Sequence, residues 1–196
     1  MNVSRETAER FTLYETLLRR WNPKINLVSP ATLPDLRTRH IDDCLQLVRL
    51  ADPRSGEWVD LGSGGGLPGL VVAIACADRP VTVKLIESDQ RKAAFLRTVI
   101  RELDLPRASV LCARIEGIKS LNAAYVSARA LAPLPRLMAY LDHHLAADGQ
   151  AWLLKGAQWQ SEVEEARRHW KFDLLSYPSE TQNGAAILRI SRLSHE

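Results

Sequence analysis

The chain has 196 residues, 46% of them hydrophobic and 25% charged, with a net charge of +3 and a sequence pI near 8.9. These proportions fit one soluble globular domain and exclude a disordered chain, a collagen-like repeat and a disulfide-dense miniprotein. No apolar run approaches the ~18–20 residues of a membrane span, and the N-terminus lacks the basic-then-apolar layout of a signal peptide, so a cytoplasmic protein is expected.

The first fifty residues are helical in character. Phe11, Tyr14, Leu17, Leu18 and Trp21 recur at 3–4 spacing, and Asn22-Pro23 is expected to break that helix. After Asn26-Leu27-Val28-Ser29-Pro30 a second helical pattern carries Ile41, Leu45, Val48 and Leu50, and stops at Asp52-Pro53-Arg54-Ser55-Gly56. From there the period changes. Trp58–Leu61 is a short strand running into a glycine cluster, and Leu70–Ala77 a small-residue helix. Val81–Ile86 is a β-branched strand ending at Glu87, and Arg91–Leu103 an amphipathic helix. Strands follow at 109–112, 124–128 and 151–154. Between the last two, a helix Pro135–Leu145 is expected to be capped by Asp148-Gly149. A helix over Gln158–Trp170 precedes strands 172–177 and 186–190, which flank the turn signal Gln182-Asn183-Gly184.

This order predicts an α/β fold: a Rossmann-like, seven-stranded, mostly parallel sheet closed by a C-terminal antiparallel hairpin. Residues 1–55 would form a helical cap and 56–196 the sheet domain, one compact unit. Cys44, Cys76 and Cys112 are few, far apart and set in apolar segments, so they read as reduced core residues. Between Asp78 and Ser120 there are nine Lys and Arg against six acids, while the rest of the chain is balanced. Such an excess is compatible with an anionic partner but also with a solvated face.

The strongest signal is Asp60-Leu61-Gly62-Ser63-Gly64-Gly65-Gly66-Leu67-Pro68-Gly69, with five glycines in eight residues after a strand. Consecutive glycines permit a sharp turn and let a ligand approach the main chain. Gly64-x-Gly66-x-x-Gly69 formally meets the dinucleotide pattern, and a P-loop is excluded because no Lys-Ser or Lys-Thr follows the last glycine. Asp60 could face a cationic amino acid moiety, which favours S-adenosylmethionine over NAD. Glu87, at the end of the next strand, is placed to accept two ribose hydroxyls of either ligand. Two alternatives stay open: a short NAD-dependent oxidoreductase, and an RNA-binding or ribosome-assembly protein that holds the cofactor without turnover.

The glycine loop resembles that of the bacterial 16S rRNA guanine-N7 methyltransferases, the RsmG or glucose-inhibited division protein B family. Other stretches are similar along almost the whole chain. They are Trp21-Asn22 with Ile25-Asn26-Leu27, and Arg39-His40-Ile41-Asp42-Asp43-Cys44-Leu45, with Cys44 where the family has serine. Ala128-Arg129-Ala130 with Ala132-Pro133-Leu134, and Leu154-Lys155-Gly156, complete the set. The resemblance implies a class I S-adenosylmethionine-dependent methyltransferase with an N-terminal helical extension, acting on 16S rRNA as naked RNA, in the small ribosomal subunit or in an assembly intermediate; a monomer is expected. It implies that Gly62, Gly64 and Leu67 line the cofactor, that Ile115-Glu116 flank the adenine, and that Arg129 reaches the same site.

Guanine N7 carries a lone pair and no proton, so this reaction needs alignment and proximity but no general base. The sequence agrees: it has neither an Asn-Pro-Pro-Tyr-type loop nor a Pro-Cys nucleophile, and no catalytic residue or metal ligand set is assigned. The adjacent His143-His144 read as surface histidines. Arg39, Lys155 and Arg136 are candidates for orienting the base through O6, and Arg97 and Arg101 for phosphate contact.

Overall fold

A computed structural model describes residues 4–195. Its sheet has the order β3-β2-β1-β4-β5-β7-β6. The strands are β1 Gly56–Leu61, β2 Val81–Glu87, β3 Ala108–Cys112, β4 Ala123–Arg129, β5 Leu145–Lys155, β6 Trp170–Pro178 and β7 Ala186–His195. The first five run parallel, and β7 pairs antiparallel with both β5 and β6. The helices are α1 Arg5–Ile25, α2 Asp43–Ala51, α3 Gly69–Ala75, α4 Gln90–Glu102, α5 Leu134–His144 and α6 Trp159–Ala166.

Two-residue alternation along the strands sorts the core into two layers. Trp58, Val83, Leu85, Trp152 and Ile187 face a cluster built with α1 to α4. Val59, Leu61, Ile86, Val126, Leu153 and Leu188 face the other, under α5 and α6. The N-terminal helices therefore share the core of the sheet: Phe11, Leu18 and Cys44 pack in one cluster with Leu67, Leu70 and Phe95. No described helix is long and apolar enough to cross a membrane.

Several elements depart from their sequence reading. The first helix does not break at Asn22-Pro23; it runs one turn further to Ile25 and ends on Asn26, which is left-handed with φ 49°. Pro23 is tolerated because it sits in the last turn, and the Asn22 Oδ1 accepts the Leu27 and Val28 amides, 2.8 Å each. A π-helix, Arg37–Asp42, precedes α2 where a plain α-helix is expected. Asp148-Gly149 does not cap α5. Those residues belong to the irregular first half of β5, where the β4–β5 register shifts. The sixth helix stops at Ala166, and Trp170 already starts β6. Cys44 and Cys76 are core residues, but Cys112 lies at the end of the edge strand β3 and is only partly buried. His144 is not a surface residue; it is fully buried on α5, with Nε2 3.3 Å from the Ile115 carbonyl.

Candidate active site

The order of the sheet reverses between β1 and β4, and a cavity of about 570 Å³ opens there, at the carboxyl ends of the parallel strands. The loops after β1, β2, β3 and β4 form its walls. The glycine loop is pinned from both sides. Ser63 donates its amide to Ile86 O at 2.9 Å and its hydroxyl to Asp60 O at 3.0 Å. From α1, the fully buried Tyr14 hydroxyl donates to Gly65 O at 2.6 Å. Burial holds the Tyr14 pKa well above the usual phenol value, so it stays a donor. Gly62 has φ +66°, and a Cβ there would meet Leu131 Cδ1 at 2.6 Å, so both backbone and space require glycine.

Glu87 stands on the floor of this loop, with Oε2 accepting the Gly64 amide and Oε1 the Asp89 amide, each at 2.8 Å. Each oxygen keeps a further acceptor position toward the cavity. Gly62, Gly64, Leu67, Glu87, Ile115, Glu116 and Arg129 all line the cavity.

Asp60 stands apart from them. It shares a strand face with Trp58, so its carboxylate is fully buried beneath the loop and is not part of the cavity wall. Oδ1 accepts the Ser127 hydroxyl at 2.7 Å, and Ser127 Oγ in turn accepts Trp58 Nε1–H at 2.8 Å. Oδ2 has no hydrogen-bond partner among the described residues. Burial pushes the Asp60 pKa up to about 6; the bond from Ser127 and the nearby Ser63 hydroxyl and Gly69 amide oppose the rise without cancelling it.

Arg129 turns most of its guanidinium away from the sheet and into the π-helix. Nη1 donates to His40 O at 3.2 Å and to Cys44 Sγ at 3.5 Å; Nη2 donates to Arg39 O at 3.2 Å and to His40 Nδ1 at 2.7 Å. Arginine can only donate, so His40 Nδ1 is the acceptor and the ring proton sits on Nε2, which donates to Thr32 Oγ1 at 2.8 Å. The Thr32 hydroxyl donates in turn to Ser29 O at 2.8 Å. Burial, then the Arg129 and Arg39 charges, lower the His40 pKa to about 4, so the ring is neutral at physiological pH. Burial likewise pushes the Cys44 thiol up to about 12. It meets Arg129 as a neutral sulfur where the family resemblance expects a hydroxyl.

At the cavity's outer rim, Glu116 accepts the Tyr140 hydroxyl and lies 3.6 Å from Arg136 Nη2, and the hydroxyl bond lowers the Glu116 pKa. Lys92 and Arg114 complete this rim. The sequence does not single out Ser29, His40, Lys92, Arg114 or Tyr140 as wall residues; of these only Arg114, two residues beyond the end of β3, carries a strand-end signal. Arg136 was a candidate and lines the cavity. Lys155 is nearly buried, its ammonium held by Ala132 O at 3.0 Å and Glu162 at 2.6 Å, which leaves it one proton. Arg39 is exposed on the π-helix and offers its carbonyl to Arg129. Arg97 and Arg101 are exposed along α4; Arg101, paired with Glu102 at 2.8 Å, is roughly 16 Å along the axis from the helix start at 1.5 Å per residue.

Comparison with known proteins agrees with this geometry. Residues 7–187 match the family model GidB, described as rRNA small subunit methyltransferase G. The chain is 57% identical over 195 residues to the ribosomal RNA small subunit methyltransferase G of Paracoccus denitrificans, covering 100% of both chains. It is 47% identical to that of a Ruegeria species, covering 97% of this chain and 93% of the other. Among solved structures, a TehB-like SAM-dependent methyltransferase from Corynebacterium glutamicum shares the fold, with a TM-score of 0.60 at 15% identity. That match covers 92% of this chain and 98% of the other.

Proposed function

Because the chain belongs to the rRNA small subunit methyltransferase G family, we propose that it transfers a methyl group from S-adenosylmethionine to N7 of one guanine in 16S rRNA, as a cytoplasmic monomer. The observation that carries the choice of N7 is the state of the acids and the histidine around the cavity. Each is held by a partner within the protein: the neutral His40 accepts at Nδ1 from Arg129, Glu87 accepts two amides and Glu116 accepts the Tyr140 hydroxyl. None is poised as a general base, and N7 needs none.

The described residues fit the cofactor. Glu87 would accept the ribose hydroxyls with its remaining acceptor positions, and Ile115 and Glu116 would flank the adenine. Leu67 and the main chain at Gly62 and Gly64 would leave room for the amino acid end. When bound, S-adenosylmethionine supplies an electrophilic methyl on a sulfonium. In transfer to N7 the base's lone pair would take that methyl and sulfur would keep the electron pair of the broken bond, so the positive charge would move to the base and no proton would leave. Arg129 acts by positioning: its four bonds hold the π-helix and His40 over the cavity. Lys92, Arg114 and Arg136 at the rim, the exposed Arg39 of the π-helix, and Arg97 and Arg101 along α4 would contact phosphates of an RNA whose target base is extruded.

The test is incubation of small-subunit RNA or particles with labelled S-adenosylmethionine, followed by nucleoside mass spectrometry. One 7-methylguanosine per 16S rRNA is expected. A label on another atom, or in another RNA, overturns the reading; cofactor binding without turnover would favour an assembly protein.

A further inference from the structure

A second cavity, of about 240 Å³, lies against the first: Arg129 and Ala130 line both. Its other walls come from the end of β5, the start of α2 and the β6–β7 connection. It is smaller than the ~300–1,000 Å³ of sites that enclose a whole drug-sized ligand, and suits one planar base.

Two buried groups of opposite charge face it. Asp43 is 8% exposed. Its Oδ1 is filled by the hydroxyls of Ser179 at 3.0 Å and Thr181 at 3.1 Å. Its Oδ2 has only the Arg129 Nη1 at 3.7 Å, beyond hydrogen-bond reach, so it keeps acceptor capacity. Lys155, also lining the cavity, keeps one ammonium proton after its bonds to Ala132 O and Glu162. A buried carboxylate oxygen without a full set of donors beside a buried ammonium defines a polar pattern that a ligand must complement.

We propose that this second cavity receives the target guanine, with Asp43 Oδ2 accepting from its N1–H and Lys155 donating to O6. The proposal rests on the reading of the chain as an N7 methyltransferase and assigns the base a place in it. N7 lies on the opposite side of O6 from N1, so this pairing turns N7 away from Asp43 and leaves it open toward the cofactor cavity. The same pattern rejects adenine, which would present the N1 lone pair to a carboxylate and an amino group to an ammonium. Selection therefore comes from two unfavourable contacts with the wrong base as much as from the right ones.

Gly156, on the cavity wall, has open space where a side chain would start, with no atom within 4 Å of a Cβ placed there, and its backbone is not left-handed. Gly156→Leu therefore fills the cavity without disturbing the fold. The expected result is unchanged affinity for S-adenosylhomocysteine by calorimetry and loss of most methyl transfer to small-subunit RNA. Asp43→Asn, which keeps the shape, should lower kcat/KM roughly 5- to 150-fold and narrow the preference for guanine over adenine in an RNA altered at the target position. Independently of any variant, wild-type protein saturated with S-adenosylhomocysteine should show saturation-transfer NMR signals to GMP and not to AMP. Full methylation by a folded Gly156→Leu protein, or equal NMR signals for the two nucleotides, overturns the proposal. If the wild-type product is not 7-methylguanosine, the underlying reading fails instead; 7-methylguanosine from both wild type and variants removes only the second cavity's role.

Discussion

Replacing Asp60 with Asn should alter how stability depends on pH, by an amount the structure sets. The carboxylate is fully buried, with one hydrogen bond from Ser127 and an unpartnered Oδ2. Its folded pKa is about 6, against 3.8 as the ordinary value. Between these two pH values the folded protein binds a proton that the unfolded chain has released. Stability from this group is therefore complete below about pH 4 and is lost as pH rises to about 6 and above. A displacement of about two pKa units corresponds to about 3 kcal/mol. The asparagine side chain would carry no charge at any pH. Urea denaturation of wild type and Asp60→Asn from pH 4 to 7.5 should show the variant gaining about 2–3 kcal/mol relative to wild type across that window, with unchanged m-values. All other titrations cancel in the difference. A flat difference would refute a neutral, desolvated Asp60, and would mean that the carboxylate is charged and fully satisfied beneath the loop.

Three further outcomes are expected. Gly62→Ala, forced to φ +66° and into Leu131, should lose about 1–2 kcal/mol of stability and bind S-adenosylhomocysteine more weakly; a folded variant with wild-type affinity in calorimetry would contradict the close main-chain approach. Glu87→Gln should cost cofactor affinity by about 1.5–3 kcal/mol, since hydroxyl bonds to a charged acceptor become neutral ones; unchanged binding would move the ribose elsewhere. For RNA binding, Lys92→Ala with Arg114→Ala should flatten the plot of log affinity against log salt by up to about two ion equivalents, at about 0.7–0.9 per phosphate. Arg97→Ala with Arg101→Ala should flatten it less, because Arg101 is already paired with Glu102, and a filter-binding series that ranks the pairs the other way would place the RNA along α4.

Local chemistry made much of this protein legible in its sequence. The period switch after Gly56, the five glycines beyond β1 and the acid closing β2 are short-range patterns, and they placed the sheet, the loop and Glu87 correctly because turns and strand ends depend on neighbouring residues. The same logic marks the loops after the strands as cavity walls, since strand ends converge at the switch point, whereas Ile115 and Glu116 within them were singled out by the family resemblance. What the chain alone could not reveal are contacts across long separations. Tyr14 reaches Gly65 over 51 residues, Arg129 reaches His40 over 89, and Ser179 reaches Asp43 over 136. The direction of Asp60 belongs with them: its chemistry favours a charged ligand, yet the face it shares with Trp58 points it into the core. Strand order and register decide which faces meet and which distant side chains become neighbours. A residue's type states what it can bond, and only the packed sheet and its helices decide what stands opposite it.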